Sequence, residues 1–567
     1  MDSVSSRKEQ VQSMQNYSVK VDPEWKLDNF VCEHILMIND LRVKGFQSVH
    51  GVLNFLGIPY ARLAARFLSA RLLDIDKLSG NLDATLYGPR CPQGADVPHL
   101  LFGNLFEKLG NTRRMSEMDC LTVNIYTPPG LRAGQKVPVF AYIHGGAFAH
   151  GDSGPEQDGN HLVKRSVALG QPIVVVSIAY RLNFFGFLTS KELLEDQVAH
   201  GEQPITAQGC NDQRIALQWI QKHIEYFGGD LARVTLAGES AGAHSVWQQM
   251  KGNEPNLFSR ANIRSFPPGR NLPFEETQRR FDGIIEKLGI AKDAPGVVKV
   301  AALRSLSAQE LVSFWDGSPF PPVLDTVWMA EAKPGVAFGS VEYFTDAPEW
   351  LDAVMIGCTR DEAYLFSGSA WDHFTWEEAR AGLEEVLPQH IVETIVESQV
   401  WKHAKSPVDA FNKAVSDASF VGGGVQGSEK LAQRNKGLLK TYAYIMECPD
   451  TRPGPLQGYD THATDVSTVF YQPAQQEWPE RATVADQHTR HMLDFIYGKE
   501  PRGWDDVGRE GKYMAYTGKE SCMKHLHQDR KDREIVFDNP EDQRVFYLSG
   551  FGIIGASLRK LNDPDKK

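Results

Sequence analysis

"VTLAGESAGA" (234–243) joins a short apolar, β-rich run to a segment of helix-compatible residues through Ser240, which stands between Gly238 and Gly242. With 49 glycines in 567 residues, a G-x-S-x-G pattern also arises in ordinary glycine-rich turns, so the surroundings must decide its meaning. Upstream, "VPVFAYI" (137–143) and "PIVVVSIAY" (172–180) are continuously apolar, as strands buried on both faces are. In "NDQRIALQWIQKHIEYF" (211–227) the residues Ile215, Trp219, Ile220, Ile224 and Phe227 recur at three- and four-residue spacing. Asn211 or Asp212 is placed to cap the start of that helix, and Gly228–Gly229 to end it. Strands alternating with helices predict an α/β fold: a mainly parallel central sheet, helices on both faces, and large loop and helix insertions.

Two further buried-strand candidates follow, "DAVMIG" (352–357) and "LKTYAYIM" (439–446), and no repeat of solenoid or propeller period is present. The chain divides into a polar N-terminal segment (1–25) and one α/β domain (26–560), with rim or lid insertions near 92–117 and 265–345. The second insertion, rich in proline and glycine, reads as loops and short helices. In the first, Leu100, Leu101, Phe102, Leu105 and Phe106 could line an apolar pocket or form a buried amphipathic segment.

Bulk properties exclude several classes. A hydrophobic fraction of 42% with 23% charged residues is globular composition, and a chain of this length buries a large core without metal staples. The formal charge of −12 disfavours nucleic-acid backbones and anionic lipid. The mixed cluster "KHLHQDRKDR" (524–533) reads as a solvated face. The N-terminal residues lack the apolar core of a secretory signal and no run is long enough to span a bilayer, so a cytoplasmic location is the default expectation. Seven cysteines, none in a C-x-x-C pair, predict neither a disulfide scaffold nor a structural zinc. No cofactor is expected.

Ser240 falls on a strand-to-helix turn, the position a nucleophile elbow requires. A serine hydroxyl is a poor nucleophile at neutral pH and needs a base, a carboxylate to orient that base, and donors for the oxyanion. "HGGAF" (144–148) follows the first apolar strand. It is either a plain tight turn or an oxyanion loop whose amides at Gly146 and Ala147, supported by Gly145, converge with that of Ala241.

Together, "FLGIPYA" (55–61), "YGPRCPQ" (87–93), "DCLTVNIYTP" (119–128), "HGGAF", "YRLNFFGFL" (180–188), "NDQRIALQWIQKHIEYFGGD" (211–230) and "VTLAGESAGA" resemble the type-B carboxylesterase/lipase family. That family includes cholinesterases and fungal lipases and has the α/β-hydrolase fold. The resemblance implies a serine, acid, histidine order. "GCTRDEAYLF" (357–366) then supplies Glu362, and "THATDVSTVF" (461–470) supplies His462, with Asp465 three residues on. Asp361 is the alternative acid. Glu239, inside the elbow, is expected to tune the local field without orienting His462. His144 is expected to prop the oxyanion loop, and His491 to lie on a helix face.

Departures from the family pattern are also visible. Ala147 replaces a third glycine but keeps its N–H. Met118 interrupts the run before Cys120, which leaves a Glu117–Arg181 pair in question. Cys91 and Cys120 match a family disulfide but are expected as thiols in a reducing compartment. In "IRSFPPG" (263–269) Ser265–Phe266 stands where the family has serine-glycine, a change expected to reshape the acyl side of the pocket. The implied activity is serine carboxylic-ester hydrolysis through an acyl-enzyme on a small apolar or natural-product ester. Acyl transfer or lactone formation by the same residues, or a non-catalytic binding role, are the alternatives.

Overall fold

The computed structural model describes residues 30–94, 114–132, 134–269, 271–367, 374–451, 456–471, 479–518 and 520–525, with isolated positions between 535 and 553. The N-terminal segment 1–25, the apolar residues 100–106 and the charged cluster beyond 525 lie outside the described residues.

The strands are β1 (Phe30–Ile38), β2 (Leu41–Ser48), β3 (Leu53–Pro59), β4 (Ala61–Arg62), β5 (Arg71–Leu72), β6 (Gly80–Asp83), β7 (Thr122–Thr127), β8 (Val137–Ile143) and β9 (Val174–Ile178). They continue with β10 (Gly229–Glu239), β11 (Arg260–Arg264), β12 (Ala353–Thr359), β13 (Lys440–Met446), β14 (Lys512–Tyr516) and β15 (Ser521–His525). Among the described residues thirteen of them form one sheet, ordered β1-β2-β3-β7-β9-β8-β10-β11-β12-β13-β14-β15 with β6 beside β2. Every pairing from β9 to β14 is parallel. The flanking pairs β1·β2, β2·β3, β3·β7, β7·β9 and β14·β15 are antiparallel. All residues of β8, β9 and β12 are buried, which is why these segments read as unbroken apolar runs.

The chain leaves β8 to form β9 on one side and returns to form β10 on the other. The carboxyl ends of β8 and β10 therefore flank a topological switch point, where open α/β sheets leave a crevice. "HGGAF" follows β8 and Ser240 follows β10, so the sheet order alone brings the two motifs together.

The helix that leads into β10, α1 (Gln208–His223), buries Ile215, Trp219 and Ile220 as its periodicity predicts, and Gly228 closes the following turn at φ +84°. Its start differs from expectation: the helix begins three residues before Asn211, and neither Asn211 nor Asp212 caps it. Asp212 instead accepts from Arg181 Nε and Nη2, both at 2.7 Å. Arg181 also donates to the Leu68 carbonyl at 2.8 Å. The pair is inside the core, with side chains 2% and 0% exposed. Glu117 forms no pair with Arg181; it binds Arg66 through Nε and Nη2 at 2.7 and 2.8 Å.

The elbow helix α2 (Ala241–Met250) packs behind β10, and α3 (Gly422–Arg434) lies against β12 and β13. Helices α4 (Thr464–Phe470) and α5 (Pro479–Ile496) pack against each other on the sheet, and His491 is on α5 as expected. The insertion after β11 holds more helix than its composition implies. Phe274–Lys287 is a 14-residue helix that buries Phe281, Ile284 and Ile285 and ties Thr277 to Thr189. Residues 376–421 add helices with their own apolar cluster over the end of β12. Among the described residues no helix is long and apolar enough to cross a membrane.

Removing one partner of a buried pair leaves an uncompensated charge, whereas an exposed pair such as Lys191–Glu195, 76% and 61% exposed, contributes little. Asp212→Ala is therefore expected to lower unfolding stability by about 3–5 kcal/mol, and Glu195→Ala by less than about 1 kcal/mol. Denaturant titration of both variants checks the difference.

Candidate active site

β10 ends at Glu239 and α2 begins at Ala241, so the chain reverses within a single residue. Ser240 takes up the reversal at φ +55° and ψ −122°, outside the favoured regions for an L-residue. Three contacts hold it there. Its N–H donates to the Arg264 carbonyl on β11 at 2.9 Å, and its carbonyl accepts the His244 N–H at 2.9 Å. At Gly242 an added Cβ would lie 2.1 Å from the Ile143 carbonyl oxygen, so only glycine lets α2 press this closely on β8. The Ser240 side chain is partly exposed, and its hydroxyl makes no hydrogen bond to any described residue.

Glu362 and His462 meet beside it. His462 Nδ1 lies 2.5 Å from Glu362 Oε2. The other oxygen, Oε1, accepts from the Ser265 hydroxyl at 2.6 Å and the Thr359 N–H at 2.8 Å. Both carboxylate oxygens thus have a partner, which fixes the carboxylate against the imidazole at Nδ1. Asp361 takes no part: its Oδ2 accepts the Asp460 N–H at 2.9 Å. Phe366 and Phe420 flank the imidazole with centroids 5.1 and 4.7 Å away.

The far nitrogen, Nε2, faces an unexpected group. Glu239 Oε1 is 3.0 Å from it, so the residue expected to tune the local field does so in direct contact with the imidazole. The approach is an ion-pair contact rather than an aligned hydrogen bond, and Oε1 accepts none from the described residues. The reason is the strand register: Glu239 is the last residue of β10, and its side chain falls on the side of the sheet where the His462 loop arrives. No hydrogen bond joins Ser240 to His462.

Electrostatics follow from burial. Burial alone would lower the imidazole, but the Glu239 and Glu362 carboxylates outweigh it and hold His462 at about 9. Burial pushes the Glu239 carboxyl up to about 8, with His462 opposing and Asp465 reinforcing the rise. Asp465 is also raised by burial, and Tyr444 donates to it at 2.8 Å. Arg264, fully buried at the end of β11, is the nearby counter-charge; its Nη2 meets Met492 Sδ at 3.2 Å, while Nε and Nη1 have no partner among the described residues.

The loop after β8 turns tightly, with Gly146, Ala147 and Phe148 at φ +107°, +55° and +57°. The Ala149 and His150 amides close on the Gly146 carbonyl at 2.9 and 3.1 Å. A Cβ on Gly145 would sit 2.7 Å from Glu239 Oε2 and 3.1 Å from Ser240 Cβ, so glycine there lets the loop lie against the elbow. The Gly146 and Ala147 amides donate to no acceptor among the described residues, and the Ala241 amide is the first of α2, which has no partner within the helix. His144 stacks on Tyr180 at 4.5 Å, its Nδ1 is 2.8 Å from the Gly145 carbonyl, and burial lowers it to about 4. Its own carbonyl accepts the Tyr180 hydroxyl at 2.9 Å, which ties the loop to the end of β9.

Ser265 is the polar contact the sequence reading missed. "IRSFPPG" marked the segment, but only the parallel pairing of β11 with β12 brings its hydroxyl to Glu362. Cys91 and Cys120 are both free and buried, and the neighbouring Cys91 and burial together push the Cys120 thiol well up. Asp74, Asp76 and His223 have the spacing of metal ligands. Asp74, however, already carries Lys77 at 2.6 Å and a bond from Lys222, and these ammonium groups occupy the place of a cation.

The comparisons agree with this architecture. A model of the carboxylesterase family matches residues 35–536. The para-nitrobenzyl esterase of Bacillus subtilis (strain 168) is 31% identical over 373 residues, covering 63% of this chain and 68% of that protein. Lipase 5 of Diutina rugosa is 29% identical, covering 58% of this chain and 62% of the lipase. Acetylcholinesterase of Bungarus fasciatus is 28% identical, covering 82% and 77%. The chain spans less than two thirds of the length of some of these relatives, 62% of lipase 5 and 40% of lipase 2 of Geotrichum candidum. A solved thermophilic pNB esterase shares the fold with a TM-score of 0.71 at 24% identity, covering 89% of this chain and 100% of that one. With a family model matched along most of its length and an α/β-hydrolase sheet carrying the elbow at its switch point, the chain belongs to the carboxylesterase family.

Proposed function

We propose that this protein is a serine carboxylic-ester hydrolase that works through an acyl-enzyme. The observation that carries the reading is the Glu362–His462 pair, 2.5 Å apart, beside an unbonded Ser240 hydroxyl on a strained strand-to-helix turn. In the proposed reaction Ser240 Oγ attacks the ester carbonyl while His462 Nε2 takes the Oγ proton. The imidazolium is held by Glu362 and then gives that proton to the leaving alcohol. Water repeats the sequence on the acyl-serine, its proton passing to Nε2 and then back to Ser240 Oγ as the acid departs. The Gly146, Ala147 and Ala241 amides receive the oxyanion, where one donor is worth about 3–4 kcal/mol of transition-state stabilisation.

Nε2 must turn from Glu239 to Ser240 Oγ for the first step. Catalytic hydrogen bonds are often long or misaligned without substrate and tighten in its presence. The Nδ1 contact to Glu362 is the pivot about which the ring makes that turn.

Ser240→Ala is expected to cut p-nitrophenyl ester turnover by a factor on the order of 10⁴ or more. A fluorophosphonate probe should label Ser240 in the parent protein; turnover retained by the variant, or labelling elsewhere, rejects the assignment.

The pH dependence follows from the charges on the imidazole. His462 accepts a proton only when neutral, so kcat/KM should fall as pH drops through the raised value of about 9. Glu239 is the largest charge that raises it, so Glu239→Gln should move the midpoint of this acid limb down toward the ordinary imidazole range. Pairs of pH–rate profiles check the shift, and an unmoved midpoint excludes Glu239 from this role.

A further inference from the structure

We propose that a wall of three aromatic rings, Phe148, His244 and Phe266, closes the acyl side of this site and restricts it to esters of short-chain acids. The proposal rests on the ester-hydrolase reading and gives it a substrate class.

The reaction itself assigns the two sides of the site. His462 must protonate the leaving alcohol, so the alcohol lies toward the imidazole and its flanking rings, Phe366 and Phe420. The acyl chain must then run away from His462, toward α2 and the loop after β8. The three rings belong to residues of, or next to, the elements that form the site. Phe148 follows Ala147 in the loop, and His244 is one helical turn beyond Ser240 on α2. Phe266 follows Ser265, the residue that binds Glu362.

The rings are joined to one another. His244 and Phe266 stack with centroids 4.6 Å apart at 14°, and His244 meets Phe148 edge-on at 5.4 Å and 72°. Phe148 packs in turn on Phe187 at 4.7 Å. All three are buried, at 2%, 2% and 8% exposure. The wall is also anchored. The Phe266 carbonyl accepts Trp247 Nε1 at 3.1 Å, and His244 Nε2 lies 3.1 Å from Asn271 Oδ1, which Gln248 also holds at 2.6 Å.

Pro267 and Pro268, with fixed φ, press on α3 so closely that a Cβ at Gly423 or Gly427 would come within 2.5 and 3.1 Å of them. The segment therefore has no easy way to swing aside for a longer chain. A phenylalanine where the family resemblance leads to glycine fills space that glycine leaves open, and small differences in an apolar pocket change selectivity about 10–200-fold per methylene.

The test is kcat/KM for p-nitrophenyl acetate, butyrate and octanoate with the parent protein, Phe266→Ala and His244→Ala. The parent should favour acetate or butyrate over octanoate by at least about tenfold. Each variant should raise the octanoate-to-acetate ratio by at least about tenfold. Should a variant fail to fold, Phe266→Leu and the rates at which ethyl and dodecyl fluorophosphonates inactivate the parent protein give the same comparison, with the ethyl reagent expected to be faster. A parent that prefers octanoate or the dodecyl reagent, or variants with an unchanged ratio, overturns the wall while leaving the hydrolase reading intact. No turnover of any chain length and no labelling of Ser240 overturns both.

Discussion

The reversal of the chain at Ser240 within one residue is the constraint on which the site depends. Strand β10 must finish and α2 must begin with no loop between them, so the linking residue takes a conformation costing about 1–3 kcal/mol. That cost is offset by packing the sequence prepares on both sides. Gly242 admits the Ile143 carbonyl, Arg264 lends its own carbonyl to the Ser240 amide, and β8, β10 and β11 are pinned in parallel register. The same geometry makes the Ala241 amide the first of α2, with no partner inside the helix.

A second organising feature is charge in a buried place. Three carboxyl groups, Glu239, Glu362 and Asp465, surround one imidazole, and burial raises Glu239 and Asp465 toward the neutral form. Donors resolve the competition unequally. Glu362 has Ser265, Thr359 and His462 on its two oxygens. Glu239 lacks such donors and is pushed toward the protonated form, so the two carboxyls flanking the same ring are chemically distinct. Arg264 adds a fixed positive charge beneath them and keeps the cluster from being wholly acidic.

The aromatic rings partition what remains. Phe366 and Phe420 flank the imidazole, while Phe148, His244 and Phe266 pack on one another and join α2 to the loop after β8 and the segment after β11. These groups reach the site from different elements, and each is held by neighbours in the core, so the shape of the cleft is a property of packing rather than of any single loop.

Much of the architecture was legible from the chain alone. Unbroken apolar runs announced β8, β9 and β12, and the three- and four-residue spacing of Ile215, Trp219 and Ile220 announced α1, because burial on two faces or one leaves a periodic trace. The G-x-S-x-G turn and "HGGAF" were visible as well, since close approaches and left-handed backbone demand small residues at fixed spacing. Family resemblance, rather than any local rule, singled out Glu362 and His462 among many acids and histidines.

Only the tertiary structure decided which groups answer one another. Asp212 was placed to cap a helix and is instead the buried partner of Arg181; Ser265, marked with Phe266 only for the acyl side of the pocket, binds Glu362; Glu239, expected to tune the local field, faces His462 Nε2 directly. Periodicity and motif spacing record a residue's relation to its own strand or helix. A partner that arrives from 97 residues away, as Glu362 does for Ser265, depends on how parallel strands are ordered in the sheet, and that order leaves no mark on either local stretch.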